Sequence, residues 1–160
     1  MNTQNNEVKI EAYRPEYKEA FKALNEEWIK TFFVMESGDY KLLDNPEEYI
    51  IDKGGHIVFA LLDNEVVGTC ALVKTEDPLT YELSKMAVSP KAQGKKIGYL
   101  LGQALVDKAR ALKAGKIFLE TNSVLVPAIK LYEKLGFEHI AISHSAYDRC
   151  DTQMELIFKD

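Results

Sequence analysis

Apolar and polar positions along the 160-residue chain follow two periods, two residues and three to four residues, and the succession of the two lays out a fold. Residues 8–13 alternate and read as a first strand, after which Pro15 is placed to open a helix. Tyr17, Phe21, Leu24, Trp28 and Phe32 recur at helical steps and predict one buried stripe. The end of that segment, Phe32-Phe33-Val34-Met35-Glu36, is more apolar than one stripe needs, so part of it is expected to line a cavity. Asn45-Pro46-Glu47-Glu48 reads as a second helix start, with Asn45 as cap and acids in the first turn, leading to a short helix that ends at Gly54-Gly55. Two apolar strands, 56–62 and 65–73, flank Asp63-Asn64, a connection suited to a tight hairpin. Residues 81–88 form the next strand, but its alternation breaks: Leu83 belongs to one phase, Met86 and Val88 to the other. A one-residue bulge near Ser84 or Lys85 would return all three to one side and free a backbone N–H as an oxyanion donor.

Ser89-Pro90 stops that strand, and Ile97, Leu101, Ala104, Leu105, Ala109 and Leu112 then mark one face of a helix starting near Gly98 and ended by Gly115. Residues 116–121 read as a strand closed by Asn122 and Ser123, and residues 126–135 as a helix ended by Gly136. Residues 137–142 and 154–158 form a last antiparallel pair, joined by the polar loop 144–151. The order is strand, two helices, three strands, helix, strand, helix, two strands. It predicts an α+β fold in one domain over residues 1–160, with a mixed, largely antiparallel sheet of about seven strands flanked by about four helices. Residues 1–6 are expected to be disordered.

Composition narrows the class. With 46% hydrophobic and 28% charged residues the chain reads as soluble and globular. Its net charge, 20 minus 25 or -5, supplies no field for nucleic acid or an anionic membrane. No apolar run is long enough to span a bilayer and the first seven residues are too polar for a signal peptide, so the expected compartment is the cytoplasm. Cys70 and Cys150 make neither a zinc-ligand pattern nor a disulfide framework, and no metal is expected; Cys70, in an apolar strand, reads as an inert buried thiol.

The chemistry concentrates between the strand at 81–88 and the helix after it. The loop from Gln93 to Gly98 sits at that helix's N-terminus, where unpaired N–H groups and the positive end of the helix dipole favour phosphate oxygens. Gly94 and Gly98 remove Cβ atoms and Lys95 and Lys96 add charge, as a pyrophosphate cradle requires, although both glycines also read as ordinary turn residues. The loop is neither a GxxxxGK[ST] phosphate loop nor a GxGxxG dinucleotide loop.

Residues 82–98, ELSKMAVSPKAQGKKIG, resemble the acetyl-coenzyme A signature of the GNAT family of N-acetyltransferases. That signature is Gln or Arg, two residues, Gly, one residue, Gly or Ala. Gln93 and Gly98 match it, while Lys96 stands where the family usually has its first glycine. Residues 128–137, AIKLYEKLGF, resemble the family's other signature, which closes a helix and opens a strand. The resemblance implies a fold whose fourth and fifth strands splay apart around the pantetheine arm, with acetyl-CoA as co-substrate. It implies that backbone groups of Met86, Ala87 and Val88 pair with the pantetheine amides, that Gln93, Gly94, Lys95, Lys96, Ile97, Gly98 and Tyr99 hold the pyrophosphate, and that Asn122 makes a polar contact to the coenzyme arm.

Acetyl transfer to an amine needs the neutral nucleophile, yet an alkylammonium with a pKa of about 10.4 is mostly protonated at neutral pH, whereas a thiol leaves with a pKa of about 8.5. Removing the amine proton is therefore the harder step, and a carboxylate is sought. Glu82 stands at a position where many GNAT members carry a glutamate, and it also reads as a solvent-facing strand carboxylate. Tyr132 matches the family's tyrosine that protonates the departing sulfur, and its helical spacing with Ala128, Leu131 and Leu135 equally allows a core role. Glu36, Asp39, Tyr147 and Arg149 lie in segments that flank the acceptor site in the family; the acids would suit a cation, Arg149 would suit a carboxylate, and each also reads as a solvated surface group. The implied activity is acetyl transfer from acetyl-CoA to a primary amine of a small molecule or protein, with a homodimer left open. A non-catalytic acyl-CoA-sensing module is the alternative, and a nucleotide-binding regulator is disfavoured by the missing phosphate-loop signatures.

Overall fold

β1 (Val8–Ala12) leads through a single turn at Pro15–Tyr17 into α1 (Lys18–Phe32), α2 (Ser37–Asp44) and a π-helical turn at Glu47–Ile51. Three strands follow, β2 (His56–Leu62), β3 (Glu65–Lys74) and β4 (Thr80–Val88), then α3 (Ile97–Ala111), β5 (Lys116–Thr121), α4 (Val126–Leu135), β6 (Glu138–Ile140) and β7 (Thr152–Ile157). The structure is a computed structural model that describes residues 7–159, so the disorder expected of residues 1–6 lies outside it. The strands make one seven-stranded sheet in the order β1-β2-β3-β4-β5-β7-β6, with four α-helices, as the pattern of the chain predicts.

Local chemistry explains most boundaries. Asp63 and Asn64 both take positive φ, 53° and 66°, the conformation of a two-residue hairpin that matches strand twist. Gly136 closes α4 at φ 108°. Other boundaries depart from expectation. On α1 the residues that meet the sheet are Phe21, Asn25 and Ile29, while Leu24 and Trp28 flank that line and Phe32 is exposed. The second helix starts nine residues earlier than Asn45 as cap suggests: Asn45 closes α2 by donating from Nδ2 to the Lys41 carbonyl at 3.3 Å, and only one π-helical turn follows Pro46. α3 stops at Ala111, with Lys113 rather than Gly115 taking the left-handed conformation at φ 65°. Gly115 already belongs to the sheet side, donating its N–H to the Leu79 carbonyl at 2.7 Å. The last pair is shorter than expected, since β6 holds three residues.

Two cores lie on opposite faces of the sheet. Ile57, Phe59 and Leu61 of β2 pack with Phe21 and Ile29 of α1 and Leu43 of α2, whereas Ala60 of the same strand turns to Leu101, Leu105 and Ala109 of α3. A strand covered on both faces needs apolar residues in both phases, which is why residues 56–62 read as a continuous apolar run. Cys70 belongs to the α3-side core, fully buried, and burial pushes its thiol pKa far above the ordinary range. It is inert, as the sequence suggests.

Candidate active site

β4 and β5 run parallel and pair only at Thr80–Lys116, Tyr81–Ile117 and Glu82–Phe118. Beyond Glu82 the two strands part, while β5 keeps its pairing with β7 on its other edge, from Lys116–Ile157 to Thr121–Thr152. The β5-facing edge of β4 therefore has no strand partner from Leu83 to Val88 among the described residues. On its other side β4 pairs with β3 through a bulge: Lys85 and Met86 together oppose Cys70, between the pairs Ala71–Ser84 and Thr69–Ala87. Lys85 takes φ 56° to make it. The bulge returns Leu83, Met86 and Val88 to the α3-side core, as the broken alternation predicts.

The loop at α3 has two differently justified glycines. Gly94 sits at φ 84° with open space around the position a Cβ would take. Gly98 is glycine for packing: a Cβ there would stand 3.1 Å from Leu131 Cδ2 and 3.6 Å from Met86 Sδ, so its missing side chain admits α4 rather than a ligand. Lys96 adopts φ 60°, ψ 26°, left-handed geometry that glycine takes without strain, which is the physical reason a glycine is usual there. The first α3 bond to this residue runs from Leu100 N–H to the Lys96 carbonyl at 3.1 Å, so the N–H groups of Ile97, Gly98 and Tyr99 precede it and face the helix end. Together with the unpaired β4 edge, this end fits an extended amide-bearing chain ending in a pyrophosphate.

An open cleft of about 730 Å³ occupies the parting of β4 and β5, and Glu82, Tyr132, Asn122, Tyr147 and Arg149 all line it. Glu82 projects from β4 without a protein hydrogen bond among the described residues. Burial first, then the charge of Glu120, raise its pKa to about 7, against the opposing pull of Lys85. Tyr132, on α4, packs edge-on to Phe137 with centroids 6.2 Å apart, and its hydroxyl has no protein partner among the described residues. Burial raises its pKa, so the phenol keeps its proton. Tyr132 thus packs against the α3-side core and lines the cleft at the same time. The Asn122 side chain is occupied: Nδ2 donates to the Arg149 carbonyl at 2.8 Å and Oδ1 accepts the Val124 N–H at 2.9 Å. Phe33 and Trp28, at the end of α1, contribute an apolar wall, while Phe32 and Val34 face solvent.

Glu36, Asp39, Tyr147 and Arg149 are brought together, and not as solvated surface charges. Asp39 is 0% exposed; Arg149 grips it with two hydrogen bonds, 2.8 and 2.6 Å, Lys85 Nζ with a third at 2.6 Å, and the Glu36 N–H with a fourth at 2.9 Å. Burial pushes the Asp39 pKa up, but the Arg149 hydrogen bonds and the Lys85 charge outweigh it and hold the carboxyl at about 2. Glu36 adds an ion pair to Arg149 at 3.3 Å and accepts the Asp148 N–H at 3.0 Å. The Tyr147 ring lies 4.6 Å from both the Lys85 ammonium and the Arg149 guanidinium. This cluster fastens the β6–β7 loop to the start of α2 across the cleft mouth. Sequence reasoning missed Lys85, Glu120 and Asn25, which line the same cleft. Asn25 carried a signal, a polar residue on the buried face of a helix; Lys85 and Glu120 looked like ordinary strand charges.

Solved structures share this fold. An acetyltransferase of the GNAT family from Staphylococcus aureus Mu50 superposes with a TM-score of 0.86 at 22% identity, covering 96% of this chain and 100% of the other. YncA from Salmonella typhimurium, a putative acetyltransferase solved with its cofactor acetyl-CoA, superposes with a TM-score of 0.78 at 20% identity, covering 96% and 95%. Residues 15–137 match the model of the acetyltransferase (GNAT) family, and the chain belongs to that family. Among curated relatives, the mouse N-acetylaspartate synthetase is 35% identical over 102 residues, 64% of this chain and 34% of its own length. The chain thus spans about a third of the length of that relative. The uncharacterized N-acetyltransferase YvbK of Bacillus subtilis is 32% identical over 114 residues, 69% of this chain and 73% of its own. Among the described residues no helix is long and apolar enough to cross a membrane.

Proposed function

We propose that the chain transfers acetyl from acetyl-CoA to a primary amine of a small molecule or protein. The observation that carries this reading is that Glu82 and Tyr132, on different elements, both open onto the cleft where β4 leaves β5, neither side chain having a hydrogen-bond partner among the described residues. The β4 edge at Met86, Ala87 and Val88 and the α3 loop from Gln93 to Tyr99 hold the coenzyme arm and pyrophosphate, and Asn122 lines the path of the arm. Acetyl-CoA brings the activated acyl group. Glu82 takes one proton from the attacking ammonium, and the bound amine then carries a lone pair toward the carbonyl carbon. A pKa of about 7 suits that task, since the carboxylate is present at neutral pH and still basic enough to accept the proton. As the C–N bond forms and the C–S bond breaks, the nitrogen sheds its second proton to solvent, the Tyr132 hydroxyl supplies a proton to the sulfur and is reprotonated from solvent, and Glu82 returns its proton to solvent.

The relatives named N-acetylaspartate synthetases bring amino acids forward as acceptors, and aspartate belongs in any panel. The test is release of CoA thiol from acetyl-CoA by the purified chain against a panel of amines, with acetyl-CoA and CoA affinities measured by calorimetry. Thiol release that depends on both acceptor and enzyme supports transfer. Tight acyl-CoA binding without release to any amine would favour the acyl-CoA-sensing alternative and overturn the catalytic one.

A further inference from the structure

We infer that the acceptor is a primary amine on an apolar body with no carboxylate beside the amine, and that Glu120 enforces this choice. The inference rests on the acetyl-transfer reading of the cleft and adds the acceptor's class to it. Its basis is which charges in the cleft are already matched. Lys85, 4% exposed, and Arg149, 17% exposed, are the cations lining it, and both are tied to Asp39 at 2.6 Å, with Glu36 closing on Arg149 at 3.3 Å. Two cations thus face two carboxylates, and the bidentate face of the Arg149 guanidinium, the geometry that would clamp a carboxylate ligand, is spent on Asp39. What remains unmatched on the cleft wall is acidic.

Among the described residues Glu82 has no ion-pair partner within contact, and Glu120 accepts only from neutral groups, Gln153 Nε2 at 2.9 Å and Cys150 Sγ at 3.7 Å. Both bonds go to Oε2 of Glu120, so Oε1 is without a protein partner among the described residues. An incoming ammonium satisfies two acids in a half-enclosed site; an incoming α-carboxylate meets like charge where water screens it poorly. The rest of the wall agrees. Trp28, Ile29, Phe33 and Leu125 offer apolar surface, and the Tyr147 ring engages both cations at 4.6 Å.

Three acceptors isolate charge from shape: phenethylamine, L-phenylalaninamide and L-phenylalanine, with L-aspartate as a fourth. Thiol release by the full chain is expected to give kcat/KM for the amine and the amide about 100-fold above phenylalanine, with aspartate lowest. Glu120→Gln should narrow the amide-to-acid ratio by about tenfold; because each acceptor is compared with itself, differences in amine basicity cancel. Phenylalanine or aspartate turned over as well as the amide overturns the inference and leaves acetyl transfer standing. A ratio unmoved in a folded Glu120→Gln removes Glu120 from the choice. If no acceptor releases thiol, calorimetry of the same four with the CoA-bound protein decides: amide bound over acid sustains the inference while transfer falls, and equal or absent binding overturns it. Should Glu120→Gln fail to fold, the wild-type phenethylamine-to-phenylalanine ratio decides, since those two amines are of similar basicity, and equal turnover of the two overturns the inference.

Discussion

Glu82→Gln separates what Glu82 does for the reaction from what its burial does to the fold, because the two effects have opposite signs. The folded carboxyl has a pKa of about 7 against an ordinary 4.5. An acid whose folded pKa is raised keeps its proton in the folded chain over a window in which the unfolded chain has lost it. Stability contributed by that proton is whole below about pH 4.5, declines as pH rises, and is gone above about pH 7. At about 1.4 kcal/mol per unit, the gap corresponds to about 3 kcal/mol at full ionisation. Glutamine has no charge to desolvate. The variant should match wild type at pH 4.5 and exceed it by about 2–3 kcal/mol at pH 8.5, equal to several degrees in Tm for a chain of this size. Turnover should move the other way, falling about a hundred- to ten-thousand-fold near neutrality, since the amide accepts no proton. Part of that loss returns at high pH, where free amine becomes abundant. Urea unfolding at the two pH values and thiol release from pH 5.5 to 10 measure both. A variant with wild-type rates throughout removes Glu82 from the chemistry; one that gains no stability between pH 4.5 and 8.5 refutes the account of its burial.

Three further outcomes follow from geometry. Asp39→Asn should cost about 3–5 kcal/mol at pH 7 by urea unfolding, because Lys85 stays buried without its counter-charge and Arg149 keeps only Glu36. The wild-type advantage rests on a depressed carboxyl pKa, so it is full above about pH 4 and is lost as pH falls through about 2. Lys96→Gly should stabilise the chain by about 1 kcal/mol, by relieving left-handed backbone at φ 60°, and should weaken acetyl-CoA binding by less than tenfold in calorimetry if the backbone carries the phosphate contacts. Gly102→Ala should cost about 1–2 kcal/mol in the same unfolding assay, since its Cβ would stand 2.5 Å from Leu135 Cδ1 and force that buried side chain to repack.

The fold was legible where local chemistry and burial agree. Asp63-Asn64, Gly136 and the phase break in β4 each announce their geometry, because asparagine and glycine tolerate left-handed backbone and a two-residue period cannot skip a phase without a bulge. Lys85, Lys96 and Lys113 also take positive φ, and a lysine gives no sign of it. That is why α3 was expected to run on to Gly115. α2 was hidden for a related reason: its cap is Glu36 paired with Asp39, acids in place of the usual hydroxyl, and both are also committed to the distant Arg149. Glu82, Tyr132, Glu36, Asp39, Tyr147 and Arg149 were named from the resemblance, and the structure brings Glu82, Tyr132, Tyr147 and Arg149 to one cleft. The joining of Glu36, Asp39 and Arg149 with Lys85 in one buried cluster was not legible, since Lys85 and Arg149 lie 46 and 110 residues from Asp39 and burial of matched charges leaves no pattern in a linear chain.

The bulge at Lys85 links the two halves of the site electrostatically. Glu82 stands on one side of it with Glu120 across the cleft raising its pKa, and Lys85 within it pulling that pKa down. If Lys85 acted as a free cation it would hold Glu82 ionised and weakly basic. Its ammonium is instead paired with Asp39 at 2.6 Å, so much of its field is cancelled before it reaches Glu82, and burial and Glu120 prevail. The basicity of Glu82 therefore depends on Asp39 staying with Lys85, a pair that joins α2 to β4 directly. Arg149 and Tyr147 of the β6–β7 loop close over that pair. A chain with the loop undocked would keep Asp39 on Lys85 but open the acceptor end to water, and hydration would lower the Glu82 pKa, because burial is the largest cause of its rise. Docking thus sets base strength through burial, and the Asp39–Lys85 pair sets it through charge.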